Sequence, residues 1–223
     1  MVKKLLFTSL LLLCSVAVFA AEGEPKEEKK NALVVYAGPH FSMASISGGG
    51  VNPSAKISYT AGLAYERSFK GDFGVVAGLE FTEKGTNDFL FVDGRTDDYT
   101  LQYLQLNLAL KYSKEFWGIK GFGQLGPYVA YGMGGDCSIG GYDMEKGSFD
   151  DLSIRDGGIY IDGGAGFSKF DAGIRVAIGV EFYNVRITAG YQRGFVNIAD
   201  ENLISNKYRN QGLFVTAGYA FKF

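Results

Sequence analysis

The feature that most limits what this chain can fold into is its last eleven residues, Leu213 to Phe223, reading LFVTAGYAFKF. Leu213, Val215, Ala217, Tyr219, Phe221 and Phe223 occupy every second position, and the residues between them are mostly small or polar. A period of two marks a strand with one apolar face. Termini usually fray in water, which suits an apolar strand ending in phenylalanine poorly. The pattern is accounted for if the apolar face meets lipid and the last aromatic sits at a bilayer interface.

The start of the chain agrees with export. Met1 to Ala20 carries Lys3 and Lys4, then an apolar run from Leu5 to Phe19, with Val18 and Ala20 fitting the small-residue cleavage pattern of a secretory signal peptide. Cys14 follows the bulky Leu13, so it is read as part of the removed peptide and not as a lipid anchor. No later stretch has the roughly 18 continuous apolar residues of a spanning helix. Removal of residues 1–20 leaves 20 basic and 24 acidic residues, a mild negative balance that argues against nucleic acid as a partner. Only Cys137 then remains, so the fold must hold without an internal disulfide. Residues 21–31 (AEGEPKEEKKN) are charged and aperiodic and read as a flexible periplasmic leader; residues 32–223 read as one domain.

Within that domain the period of two recurs eight times. Strands are expected over about residues 33–43, 57–69, 73–82, 99–112, 119–133, 170–182, 185–191 and 213–223. Pro39 weakens the first, because a strand proline removes a ladder donor. The phase of the fourth slips near Tyr103-Leu104, which suggests a bulge. Lys70-Gly71-Asp72 makes a three-residue turn that keeps Phe69 and Phe73 on one face, and Tyr183-Asn184 closes a two-residue hairpin. Connections alternate short and long, the signature of an outer-membrane barrel with short periplasmic turns and longer outer loops.

The aromatics test this independently. Tyr65, Phe69, Phe73, Tyr112, Phe116, Trp117, Phe182, Tyr183, Phe221 and Phe223 fall at the turn ends, and Tyr59, Phe81, Tyr99, Tyr131 and Phe195 fall towards the loop ends. Two aromatic belts around an aliphatic band are expected of a barrel in a bilayer. The fold class is therefore all-β: an eight-stranded antiparallel up-and-down transmembrane β-barrel, placed in the bacterial outer membrane and in contact with its lipid.

Several stretches then resemble a known family. Tyr103-Leu104-Gln105-Leu106-Asn107-Leu108-Ala109-Leu110-Lys111-Tyr112 is similar to a Y-L-E-I-P-L-L-L-K-Y strand, with Gln105 in place of the Glu and Asn107 in place of the Pro. Gly126-Pro127-Tyr128, followed by Tyr131, resembles a G-P-Y strand, and Phe170 to Glu181 with Tyr191 resembles a late hairpin. These belong to the outer-membrane β-barrel family common in Bacteroidetes, often labelled PorT-like, whose members share the eight-stranded OmpX/OmpA-like architecture. The resemblance implies the fold and the location, and it suggests an accessory role in a secretion or assembly complex.

Inward positions carry the candidate chemistry. Glu66, Glu80, Lys84, Lys111, Asp171, Arg175, Glu181, Arg186 and Lys222 face the lumen, with Glu181 set opposite Arg186 by the two-residue turn. Charges buried in a narrow lumen must pair. They can line a selective conduit or plug the barrel; eight strands leave an interior that side chains fill, so the expectation is a structural network of Glu66, Glu80, Lys111, Arg175, Glu181 and Arg186, not a diffusion pore. His40 and Ser42 share the inward face near the outer rim, which leaves open a lipid hydrolase, but no motif supplies an acid partner and no catalytic residue is assigned.

Residues 134–169 hold Asp136, Asp143, Glu145, Asp150, Asp151, Asp156 and Asp162. Their spacing fits neither an EF-hand nor a glycine-aspartate repeat, so no metal or cofactor is assigned; a solvated acidic loop, or a hairpin around Ile159-Tyr160-Ile161, is expected. Cys137 has no basic neighbour in sequence and reads as an incidental thiol. The functional expectation is a non-enzymatic barrel that acts through its extracellular loops in binding, adhesion or envelope support, through an extracellular ligand or through envelope and secretion proteins.

Overall fold

The computed structural model describes residues 30–47, 54–69, 72–87, 91–92, 95–96, 98–139, 142–143, 152–155, 158–161, 168–198 and 207–223. Eight long strands form the wall: β1 (Asn31–Ser47), β2 (Ser54–Ser68), β3 (Phe73–Asn87), β4 (Asp98–Phe116), β5 (Ile119–Ile139), β6 (Phe170–Phe182), β7 (Val185–Gly194) and β8 (Lys207–Lys222). Each pairs antiparallel with the next, and β8 pairs with β1, so no edge is left open. Closure lets the strands pair their backbones within the sheet and leaves no row of edge groups facing lipid, as a bilayer requires.

The register fixes the shape. Paired residues lead once around the wall from Asn31 through Arg67, Val75, Leu110, Leu125, Val176, Tyr191 and Leu213 to Phe41. Phe41 lies ten residues beyond the starting point on β1. That stagger in eight strands tilts them by about 40° and gives an interior that side chains can fill.

The alternation in the sequence becomes two faces. Outward positions such as Leu63, Leu79, Leu106, Leu110, Val176, Ile178 and Leu213 are exposed, while alternate positions such as Glu66, Glu80, Gln105 and Asp171 are buried. A water-soluble barrel would invert this pattern; an exposed apolar surface continuous around the wall belongs in lipid. At the periplasmic end all ten expected aromatics are exposed. Trp117 and Gly118 (φ 50° and 77°) turn β4 into β5, and Tyr183 and Asn184 (φ 47° and 69°) turn β6 into β7. Two consecutive positive φ values match the twist of the flanking strands. In the β2–β3 hairpin the Phe69 N–H donates to the Phe73 carbonyl (2.8 Å), with Phe69 and Phe73 on the same outward face; Lys70 and Gly71 lie outside the described residues.

Both strand prolines sit where the ladder lapses. β1–β8 pairing skips Gly38 and Pro39, and β4–β5 pairing skips Gly126 and Pro127. At Gly38 and Gly126 a Cβ would meet the backbone of Val215-Thr216 and of Leu108-Ala109 respectively. Glycine allows the strands to approach there, and the lapse removes the need for the proline donor.

The fourth strand differs from the sequence reading. A register shift does occur at Gln102/Tyr103, but the surplus residue is Met133 on β5, and β4 keeps one phase throughout. Tyr99, expected in the outer aromatic belt, instead points inward with Leu101 and Tyr103; all three are at most 1% exposed. Strands also run longer towards the outside than the apolar pattern indicates: β5 reaches Ile139, and β8 begins at Lys207. Short pairs, Phe91–Val92 with Arg95–Thr96 and Leu152–Arg155 with Gly158–Ile161, are found in the outer connections. The second of them is the hairpin expected around Ile159.

The lipid-facing register leads to a direct test. Ile178→Arg, near the middle of β6, should lower the unfolding free energy in lipid vesicles by about 2–4 kcal/mol. Denaturant titration measures it, and a neutral effect would place that face away from lipid.

Candidate functional site: the lumen network

The lumen is filled by three polar layers. Nearest the periplasm, Arg186 on β7 lies between two carboxylates. Its Nη1 and Nη2 donate to Glu66 Oε1 and Oε2 on β2 (2.5 and 2.9 Å), a bidentate pair across the barrel, and its Nη2 also donates to Glu181 Oε2 on β6 (2.5 Å). Lys111 on β4 donates to Glu66 Oε2 at 2.7 Å, and Lys222 on β8 pairs with Glu181 Oε1 at 2.6 Å. The Phe122 ring lies 4.7 Å from Lys111 Nζ and 4.8 Å from the Arg186 guanidinium carbon. The Glu181–Arg186 facing arises from the Tyr183-Asn184 turn, which pairs the two residues in register.

Above this layer runs a collar of small apolar residues, Val34, Ala64, Val76 and Ala220, with Tyr36 and Ala109 against it. It borders a cavity of about 60 Å³, room for a few water molecules. Asn107 Nδ2, on a residue that lines the cavity, makes no hydrogen bond among the described residues.

The middle layer centres on Glu80. Arg175 Nη1 and Gln105 Nε2 donate to its Oε1 (2.5 and 2.9 Å), and the Tyr36 hydroxyl donates to its Oε2 (2.8 Å). The Arg175 guanidinium carbon stands 3.8 Å over the Phe214 ring. Gln105 Nε2 also reaches Gln192 Oε1 (3.1 Å), and Gln192 Nε2 lies 3.0 Å from His40 Nε2. His40 Nδ1 is 2.8 Å from the Glu83 carbonyl, which can only accept. The proton therefore sits on Nδ1, and Nε2 accepts from Gln192.

The outer layer gathers on Asp171 Oδ2. Lys84 Nζ (3.0 Å), the Tyr128 hydroxyl (3.2 Å) and Asn210 Nδ2 (3.0 Å) all donate to it. Lys84 is also sandwiched by rings, 4.2 Å from the Tyr128 centroid and 5.1 Å from that of Tyr103. Above lies an apolar stopper of Tyr99, Leu101, Ile198 and Tyr208. The Ile198 N–H donates to the Tyr208 carbonyl, and the Ser168 N–H to the Ile198 carbonyl, both at 2.8 Å. The segment after β7 is thereby tied to β8 and to the start of β6.

All six residues singled out for the interior network thus carry an ion pair, as do Lys84, Asp171 and Lys222. His40 and Ser42 point the same way but do not meet as a catalytic pair. Ser42 Oγ donates to the Gly85 carbonyl (3.0 Å) and accepts from its N–H (2.9 Å), while His40 is held by Gln192 and Glu83; both residues are 1% exposed. Asp136, Cys137 and Asp143 fall on strands, whereas Glu145, Asp150, Asp151, Asp156 and Asp162 lie outside the described residues. Sequence reasoning passed over the neutral members, Tyr36, Gln105, Gln192, Asn210 and Tyr128. Their inward parity was the available signal.

A closed, apolar-faced, polar-filled eight-stranded barrel is an outer-membrane protein by its physics. The family model of the outer membrane protein beta-barrel domain matches residues 21–200, and the chain belongs to that family. Among solved structures, it is similar to Ail, the attachment invasion locus protein of Yersinia pestis, in complex with the heparin analogue sucrose octasulfate (16% identity, 86% of this chain and 99% of that one, TM-score 0.44). Neisserial surface protein A is similar at 16% identity, 85% and 99% coverage and TM-score 0.44. OprG from Pseudomonas aeruginosa stands at 11% identity, 87% and 98% coverage and TM-score 0.47. No curated protein matches the chain.

The layer nearest the periplasm predicts an asymmetric mutational response. Arg186→Ala leaves two buried carboxylates with reduced compensation and should cost about 3–5 kcal/mol of unfolding free energy. Lys222→Ala, at the partly exposed rim, should cost well under half of that. Comparable losses for the two would contradict the network as drawn.

Proposed function

We propose that this protein is a non-enzymatic outer-membrane scaffold whose barrel is closed to solutes and whose outer segments do the work, by binding, adhesion or support of the envelope. The observation that carries the reading is the filled lumen: three polar layers and an apolar stopper occupy it. The Glu66, Glu80, Lys111, Arg175, Glu181 and Arg186 network serves as a plug, because every charge is spent on a neighbour. A barrel so filled leaves recognition to its outer connections, and such segments commonly carry function. The chain is exported by residues 1–20, with residues 21–30 as a periplasmic leader, since Asn31, expected in the leader, already pairs in β1.

The PorT-like resemblance supports a rival role as accessory barrel in a secretion or assembly complex. Cross-linking in intact cells, followed by purification through a tag in residues 21–30, separates the two. A folded barrel with extracellular or envelope partners, lost when residues 144–167 are replaced by a short glycine-serine linker, is the expected result. A stoichiometric set of secretion components retained after that replacement would establish the accessory role instead.

A further inference from the structure

The outward face of β6, β7, β8 and β1 carries three charged side chains among the described residues. Arg193, Arg209 and Lys207 are all cationic, and all lie at the outer end. The register places them together. Arg193 on β7 is paired with Gln211 on β8, and Arg209 and Lys207 follow on β8 at alternate positions, opposite Ser45 and Ser47 of β1. Arg193 and Arg209 are therefore diagonal neighbours on one face, with Cβ atoms about 7–8 Å apart. That separation is well within the reach of two guanidinium arms closing on one group.

Directly beneath lies an apolar panel. Tyr191 pairs with Leu213, and Leu213 with Phe41, at the top of the lipid-facing band. The cations therefore stand at the height of the outer headgroups. The Tyr191 hydroxyl donates to Gln211 Oε1 at 3.0 Å, which turns the Gln211 amide so that its N–H₂ remains a donor between the arginines. Two arginines, a lysine and an oriented amide on one face form a set suited to a phosphate group.

We infer that Arg193, Gln211, Arg209 and Lys207 form a binding site for the phosphate of an outer-leaflet lipid, whose acyl chains lie along Tyr191, Leu213 and Phe41. The lumen is not involved, so the site is independent of the function proposed for the outer segments.

Native mass spectrometry of the refolded full chain in detergent tests this, with phosphatidic acid and phosphatidylcholine as probes. The wild type should retain phosphatidic acid over phosphatidylcholine, and excess inorganic phosphate should leave the lipid bound. Arg193→Gln with Arg209→Gln should lower retention by about tenfold or more, the equivalent of one charge-assisted hydrogen bond. Arg67→Gln with Lys114→Gln, at the periplasmic rim, should retain lipid as the wild type does. Gel mobility without boiling confirms that each variant is folded. Equal retention of the two lipids by the wild type, equal loss in the rim control, or full displacement by inorganic phosphate would overturn the assignment.

Discussion

The structure depends on the inversion that lipid imposes. With the apolar residues committed to the outer face, the charged side chains at inward positions must be paired in a lumen only wide enough for side chains, where an unpaired charge is costly. Arg186 shows how this is met: one guanidinium from β7 joins Glu181 on the adjacent strand to Glu66 on the far wall. Ion pairs that cross the lumen brace the cylinder, much as a hydrophobic core holds a soluble domain, though with directional contacts in place of contact area.

That bracing explains the order of the layers. The arginines pair with carboxylates and also lie on rings, Phe122 for Arg186 and Phe214 for Arg175, so aromatic faces replace some of the lost hydration. Between them Ala64, Val76 and Gly78 border a cavity of about 60 Å³. The two Gly-Pro pairs at Gly38 and Gly126 mark places where the wall closes in and the ladder is given up for two residues.

Much of this was legible in the sequence because both signals have a period of two. The apolar residues of β2, β3, β6 and β8 fix the lipid face, and once that face is set the charges at Glu66, Lys111, Glu181 and Arg186 can only point inward. Which partners they choose was less legible. Glu181 and Arg186 are joined by a two-residue turn, but Glu66 and Arg186 are 120 positions apart and meet only because of the stagger around the wall. Tyr99 was misplaced for a physical reason: near the mouth the lumen itself is apolar, so Tyr99, Leu101 and Tyr103 mimic a lipid-facing run. The lengths of β5 and β8 were understated because strands beyond the bilayer no longer need an apolar face.

The central claim is that this wall encloses no conducting path, and single-channel recording in planar bilayers tests it most directly. The refolded full chain should insert, as shown by its mobility shift without boiling, and yet give no stable conductance steps at moderate voltage. Reproducible ohmic steps from the wild-type protein would show a continuous water path through the layers around Glu66, Glu80 and Asp171, and would contradict the account.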